Sequence, residues 1–296
     1  VNDNYVSEEV GMQPIDVDKQ YHFFNPRAGV SYTLAERNNF YLSFAVAQKE
    51  PTRSDFTDRY KFAADDTYPS SEKLYDWELG YQYTAPRLSL GVNLYYMKYK
   101  DQLVPTGMVN DDSNALNTNV PDSYRRGVEL SASWRATGWF TVGANATFSQ
   151  NRIENYVDAL KDSPTYGKEL GDMTIAYSPD VIANAFLNFH HRGFEAVFHT
   201  QHVGKQYFTN NENDALSLDA YCVTNLNLAY TFRTRSARSV RLGLLINNLF
   251  NAEYESNGYG YSYMDTWSGP APVRIDEAYY FPQAPLNVLA NVTVKF

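Results

Sequence analysis

The sequence Trp-Phe-Thr-Val-Gly-Ala-Asn-Ala-Thr-Phe-Ser, residues 139–149, decides the fold class. Apolar side chains occupy every second position from Phe140 to Phe148, and Thr, Gly, Asn and Ser fill the positions between them. Because successive side chains of a strand point to opposite faces, this order predicts a β-strand with one apolar and one polar face. The same alternation recurs in 222–232 and 286–296, and helical spacing fits none of the three segments.

Eleven strands of this kind are predicted along the chain. Their lengths, mostly about 10–14 residues, exceed the usual globular strand of about 5–6 residues and suit a tilted strand that crosses a bilayer. The predicted strands are 22–34, 39–48, 73–84, 87–100, 123–135, 138–150, 179–190, 193–206, 220–232, 239–250 and 285–296.

The composition agrees with strands that face two different environments. Aromatic residues make up 16% of the 296 residues, charged residues 20%, and the mean hydropathy is −0.48. No stretch of 18 apolar residues is present, so no transmembrane helix is predicted. A soluble β-sandwich would share the alternation, but there is almost no helical pattern and no second apolar layer to cover the apolar faces. Lipid against the apolar face and water against the polar face account for both observations. Strands exposed to lipid must close into a barrel, because an open edge would leave backbone groups unpaired.

The predicted connections alternate between short and long, as in outer-membrane barrels with short periplasmic turns and long extracellular loops. An odd count of eleven strands, with the last one descending to a periplasmic Phe296, describes only part of an even-numbered barrel. A further strand at 103–110 or 257–264 would remove that parity argument. The short connections are 35–38, 85–86, 136–137, 191–192 and 233–238, and the long ones are 49–72, 101–122, 151–178, 207–219 and 251–284.

Charge and cysteine content exclude several classes of protein. The net charge of −9, with no basic run, is unsuited to binding the phosphates of a nucleic acid. The single cysteine, Cys222, rules out an internal disulfide framework, and its position on the apolar face favours a small hydrophobic role over a reactive thiol. His199 and His202 lie at an odd spacing, so a strand points them to opposite faces. Gly258-Tyr259-Gly260 is too short to be a phosphate loop. No enzyme activity, metal site or cofactor is therefore predicted.

Five segments in chain order resemble motifs of the TonB-dependent outer-membrane receptors. Lys49-Glu50 stands where the family more often has Arg-Ala, and Ser71 stands where it has proline. The style of the sequence is similar to the Bacteroidetes branch. The segments are Ala45–Phe56 (the Arg-Ala-Pro segment), Ser71–Gly80 (Pro-Glu…Glu-x-Gly), Arg126–Leu130 (Arg-Gly-x-Glu), Asn247–Tyr254 (Asn-Leu-Phe-x-x-x-Tyr) and the terminal Phe296.

This resemblance implies a 22-stranded transmembrane β-barrel in the bacterial outer membrane, of which residues 1–296 form the C-terminal part as a single, incomplete domain. The N-terminal plug and the first half of the barrel are then absent. The resemblance also implies active import of an iron–siderophore or similar scarce chelate, driven by the TonB complex through the plug. Cobalamin, haem or a glycan are alternative cargoes. A passive diffusion porin and a structural or adhesive barrel are the rival functions, since the strand pattern permits both.

Two groups of residues are candidate functional sites. Strand parity places one charged group inside the barrel, facing either a docked plug or one another across a wet lumen. This group is Arg27, Asp76, Glu78, Arg125, Glu129 and Arg135.

The second group lies in the long loops and is the candidate ligand site, since large amphipathic rings offer contact area at low entropic cost. Simple loop packing is the alternative for its aromatic members. Tyr279, Tyr280 and Phe281 are assigned instead to the aromatic girdle at the membrane interface, and loop 151–178 is expected to matter less for ligand capture. The candidate ligand residues are Tyr259, Tyr261, Tyr263 and Trp267, followed by Met108 and Asn110.

Overall fold

The computed structural model describes residues 18–57, 68–109, 115–160 and 162–296, and antiparallel strands make up most of them. One short helix, α1 (Arg53–Thr57), and one 3₁₀ turn at Asp214–Leu216 accompany the strands. The strands are β1 (Arg27–Leu34), β2 (Asn38–Lys49), β3 (Glu72–Ala85), β4 (Leu88–Val109), β5 (Ala115–Arg135), β6 (Phe140–Ile153), β7 (Met173–Thr174), β8 (Val181–His191), β9 (Phe194–Val203), β10 (Gln206–Tyr207), β11 (Ser217–Leu218), β12 (Tyr221–Phe232), β13 (Ser239–Asn247), β14 (Glu255–Asp265), β15 (Val273–Pro282) and β16 (Asn287–Lys295).

Eleven of these strands form one antiparallel meander, and they are the eleven that the sequence predicts. The order is β1-β2-β3-β4-β5-β6-β8-β9-β12-β13-β16, with the two-residue β7 added to the end of β6. β1 and β16 lie at the two ends of this order, so the described residues form a sheet that is not closed on itself.

Two of the predicted loops contain strands in the structure. β4 extends past residue 100 to Val109, and β5 begins at Ala115 instead of 123. The two strands remain paired over these extensions, so much of the predicted loop 101–122 is a long hairpin. Segment 257–264 is a strand, but it pairs with β15 in a separate two-stranded sheet. The count of eleven strands in the main sheet is therefore unchanged.

The register gives the sheet one apolar face and one polar face. Leu42 of β2 pairs with Leu79 of β3, which pairs with Leu94 of β4. Directly paired residues share a face, so aliphatic side chains form continuous rows across the strands. Leu42 and Leu79 each expose 51% of their surface, which is the surface that a barrel presents to lipid.

Aromatic rings gather toward both ends of the apolar face, as in the girdles of membrane barrels. Toward the long connections, the Trp77 ring lies 5.2 Å from Phe44 and 5.8 Å from Tyr96. Toward the short turns, Phe140 stacks on Phe189 with ring centroids 4.5 Å apart. The girdle assignment of residues 279–281 is wrong, because these residues belong to β15, which lies outside the main sheet.

The long connections pack into a layer with two cores of its own, both at the same end of the sheet. One lies between the extended β4–β5 hairpin and the segment after β6, and the other lies between 204–220 and β15. Their members are Val104, Val120, Ile153, Tyr156 and Ile175 in the first, and Phe208, Leu216 and Leu218 with Ala278 in the second.

A buried amide holds three of these connections together. The Asn210 side chain accepts a hydrogen bond from the Ala176 backbone N–H at 2.7 Å and donates one to the Pro105 carbonyl at 2.6 Å. Because Asn210 is fully buried, losing either partner would leave a polar atom without compensation. The outer layer is thus a packed structure and not a set of independent loops.

Among the described residues, none of the helical segments has both the length and the apolar character that crossing a membrane demands.

Candidate functional site

The β14–β15 hairpin presents three of the predicted ligand residues on one surface. Tyr259 pairs with Tyr279, Tyr261 with Glu277, and Tyr263 with Ile275. Since paired residues and residues two apart share a face, all these side chains lie on the same side of the hairpin. We call Tyr259, Tyr261, Tyr263, Glu277 and Tyr279 the tyrosine face.

The opposite side of the hairpin anchors it to the outer layer. Gly258 and Gly260 leave room for the Phe208 ring, which would lie within 3 Å of a Cβ atom at either position. Leu216 packs against Gly260 in the same way. The two glycines therefore serve close packing, and this contact turns the tyrosine face away from the core.

One carboxylate organises the tyrosine face. Glu277 Oε2 accepts hydrogen bonds from the Tyr261 hydroxyl at 2.7 Å and the Tyr279 hydroxyl at 2.8 Å. Its Oε1 accepts from the Tyr263 hydroxyl at 3.2 Å. The Tyr261 bond is the largest cause that lowers the pKa of Glu277, and the same bond raises the pKa of Tyr261. Glu277 is consequently a stable anion that fixes three phenol rings.

The rings themselves form a stacked row. Tyr259 and Tyr279 lie 4.9 Å apart with planes 15° from parallel, and Tyr261 lies 6.3 Å from Tyr279. Phe281 extends the row at 6.1 Å from Tyr259. Offset stacking of this kind stabilises the arrangement beyond simple area burial, so the face is preorganised.

Other predicted ligand residues lie elsewhere or cannot be placed. Trp267 is in the hairpin turn, 77% exposed, and its backbone N–H donates a hydrogen bond to Asp265 Oδ1 at 3.0 Å. Met108 is at the far end of β4, where its backbone N–H donates to Thr106 Oγ1. No hydrogen bond or ring contact among the described residues joins either one to the tyrosine face. Asn110 falls outside the described residues.

The predicted interior charges share the polar face of the sheet. The register aligns Arg27 with Ala45, then Asp76, Met97 and Arg125 on successive strands. These residues therefore form one row across five strands.

Glu78 and Glu129 belong to the same face, two and four positions from that row along their strands. With Arg125 they line a recess of about 320 Å³ in the wall. Arg125 donates to Ser178 Oγ at 2.9 Å, and Glu129 accepts from Asn93 at 3.2 Å. Within the described part of the chain no ion pair joins members of this group, so contact with a plug stays a prediction. Arg135 pairs with Thr141 near the short turns.

Sequence reasoning missed Glu277 and the buried core in the connection after β6. Glu277 appears as one of several loop carboxylates, and its cross-strand pairing with Tyr261 could be foreseen only from the hairpin register. In the connection after β6, Ile153, Tyr156 and Leu160 are at most 4% exposed. They are buried residues of the outer layer, so replacing them with polar residues would disrupt its packing.

The histidines and the cysteine show no metal-site geometry. His202 pairs with Cys222, whereas His199 pairs with Asn225 on the other face, as the odd spacing predicts. Across the described ranges, no group of three or more His, Cys, Asp or Glu side chains is arranged to hold a metal ion.

Three solved structures with a similar fold are each larger than this chain. The ferric-catecholate import receptor Fiu from E. coli K12 in its closed form aligns with a TM-score of 0.65 at 19% identity, covering 94% of this chain and 36% of that one. The ferric yersiniabactin uptake receptor FyuA from Yersinia pestis aligns with a TM-score of 0.62 at 19% identity, covering 91% and 37%. The copper transporter OprC aligns with a TM-score of 0.65 at 18% identity, covering 91% and 39%. At these identities the similarity establishes the fold, and the chain spans a little over a third of each structure.

A family model also matches the sequence itself. The TonB-dependent receptor-like β-barrel model matches residues 2–249, which is most of the chain. The matched range contains ten of the eleven strands of the main sheet in full, all except β16. The meander, its alternating connections and the apolar face agree with this match. The chain belongs to the TonB-dependent receptor β-barrel family.

Proposed function

We propose that this chain is the ligand-capturing part of the barrel of an outer-membrane receptor that imports a metal chelate with energy from TonB. The observation that carries the proposal is the tyrosine face: five preorganised side chains on a hairpin anchored at the long-connection end of the barrel. The solved receptors with this fold include proteins described as importing ferric catecholate and ferric yersiniabactin. An iron–siderophore complex is accordingly the proposed cargo.

The polar face supports the second half of the proposal, passage through the barrel. Arg27, Asp76 and Arg125 lie in one row, with Glu78 and Glu129 beside it. Charges of both signs without mutual ion pairs suit a surface that docks another polar surface. We propose that this surface receives the plug domain, on which TonB pulls.

Uptake by cells tests the proposed function. Cells lacking the receptor gene would be complemented with the complete receptor and given ⁵⁵Fe-labelled trihydroxamate, tris-catecholate and citrate complexes. We expect energy-dependent uptake of at least one complex, abolished by a protonophore or by loss of TonB. Uptake that continues without TonB would instead indicate a passive porin.

Replacement of the loop aromatics tests the site. Changing Tyr259, Tyr261, Tyr263 and Trp267 together to Ser should weaken binding of the imported complex at least tenfold, or about 1.4 kcal/mol. Surface level should be unchanged, because β14 and β15 are outside the main sheet. Tyr166→Ser is the matched control, since that ring is in another long connection and makes no ring contact within the described part of the chain. Normal affinity of the quadruple variant at normal surface level would exclude this site.

A further inference from the structure

Charge is distributed unequally between the two ends of the sheet. Counting described residues only, the long-connection end contains 18 acidic and 4 basic residues, a net charge of −14. The short-turn end contains one acidic residue and six arginines, a net charge of +5. The ranges are 50–71, 101–122, 154–180, 204–220 and 248–286 for the first end, and 35–37, 86–87, 136–139, 192–193 and 233–238 for the second.

Such a separation has a consequence for ligands. A surface dominated by one sign of charge raises the local concentration of molecules of the opposite sign and repels those of the same sign. The connection that contains the tyrosine face, 248–286, contributes five carboxylates against the single cation Arg274. Arg274 is paired with Asp276 at 2.8 Å on the opposite side of the hairpin, so it does not neutralise Glu277. An approaching ligand therefore meets an acidic surface.

The hydrogen bonds of the tyrosine face also favour a positively charged ligand. A hydroxyl has one proton to donate, and Tyr261, Tyr263 and Tyr279 each donate theirs to Glu277. Their oxygens then offer only lone pairs to a ligand. The part of the tyrosine face around the carboxylate therefore offers hydrogen-bond acceptors, and it is flanked by aromatic rings whose π faces attract cations.

We propose that the tyrosine face binds a positively charged organic group of the cargo, an ammonium or guanidinium, with Glu277 as its counter-ion. This inference rests on the proposed function for the identity of the cargo as a metal chelate. It restricts that cargo to complexes with a cationic arm and disfavours highly anionic complexes such as a ferric tris-catecholate. An ammonium group offers three donors, which suits the carboxylate and the phenol oxygens that surround it.

The test uses three probes with one ring and different charges. They are 4-fluorobenzylammonium, its neutral N-acetyl derivative and 4-fluorobenzoate, measured by ¹⁹F NMR. The complete receptor would be held in phosphatidylcholine nanodiscs with EDTA, so that neither the lipid nor a metal ion competes through charge. We expect the ammonium probe to bind at least tenfold more tightly than the neutral probe, and the benzoate most weakly.

Two charge-removing variants separate the site from the general acidity of the loops. Glu277→Gln keeps an acceptor for the tyrosines and should abolish the tenfold preference for the ammonium probe. Glu253→Gln removes the same charge at an exposed position of the same connection, where no partner is described, and should retain the preference. Equal binding of charged and neutral probes to the native receptor, or an unchanged preference in Glu277→Gln, would overturn the inference. Probe binding does not depend on transport, so failure of the uptake experiment alone would remove the proposed function and leave this site intact.

Discussion

At the scale of single residues, the outer hairpin depends on positions without a side chain. Gly258 lies under Phe208, and a Cβ atom there would be 2.7 Å from the ring and 2.7 Å from the Tyr279 carbonyl oxygen. The ring can rotate away, but the backbone oxygen is fixed by the hairpin. The sequence Gly-Tyr-Gly therefore combines contact with the core on one face and an exposed phenol on the other.

We expect Gly258→Ala to loosen the hairpin from the outer layer. Forcing a methyl group into filled space costs about 1–3 kcal/mol, and hydrogen exchange of 255–265 should report faster opening. Gly269→Ala in the turn of the same hairpin is the control, because its nearest neighbour would be 4.0 Å away. Equal exchange rates in the two variants would contradict the packing role of Gly258.

Glu277 should affect the pH at which the tyrosines of this face ionise. Its hydrogen bonds raise the pKa values of Tyr261 and Tyr279 above the usual 10. In Glu277→Gln we expect phenolate absorbance to appear at lower pH, since the neutral amide no longer opposes ionisation. An alkaline titration that is identical in the two proteins would show that Glu277 does not bind these hydroxyls.

The hydrogen bonds to Glu277 also predict how the stability of the hairpin changes at acidic pH. Burial is small, and the hydroxyls of Tyr261, Tyr279 and Tyr263 are the groups that face the carboxylate. Their bonds lower the pKa of Glu277, so its contribution to hairpin stability is complete above the ordinary Glu value and is lost as the pH falls through the lowered value. Cation binding to the tyrosine face should therefore persist to pH values below the usual Glu range.

At the scale of elements, each strand of the sheet serves two environments. Val142 of β6 pairs with Trp134 and Leu187, so it lies on the apolar face. Asn145 pairs with Ser131 and Asn184, three positions along the same strand and on the polar face. Because the two positions are three residues apart, substitutions in this one strand can test the apolar face and the polar face.

We expect arginine to be tolerated at Asn145 and not at Val142. A cation on the lipid face costs roughly 2–4 kcal/mol near the midplane, whereas one on the polar face remains hydrated. Denaturant titration of the complete receptor in lipid, comparing Val142→Arg with Asn145→Arg, would measure the difference. Equal destabilisation would show that the two faces are assigned incorrectly.

At the scale of the whole molecule, the eleven strands form an open order with β1 and β16 at its ends. Strand edges present unpaired N–H and C=O groups, and each costs several kcal/mol in hydrocarbon. The acidic outer layer and the basic short turns give this sheet a fixed polarity along the strands.

Residues 1–296 produced alone should accordingly fail to form a closed barrel. Refolded into detergent, the chain should lack the heat-modifiable gel migration of folded outer-membrane barrels, while the complete receptor shows it. A compact, heat-modifiable species of the 296-residue chain, seen as a closed ring by microscopy, would contradict this expectation.

The sequence by itself determined the main sheet, because strict alternation of apolar and polar residues has only one regular solution when lipid lies on one side. It predicted all eleven strands, the alternation of short turns with long connections, and a tyrosine-rich candidate site at 259–263. Only the tertiary structure decided what the long connections do, since their pairing and packing join residues far apart in the chain. The register of β14 with β15 brings Glu277 to Tyr261, and packing against Phe208 decides which side of the hairpin is exposed. Alternation records the faces of a strand, but it contains no information on which distant carboxylate meets which phenol.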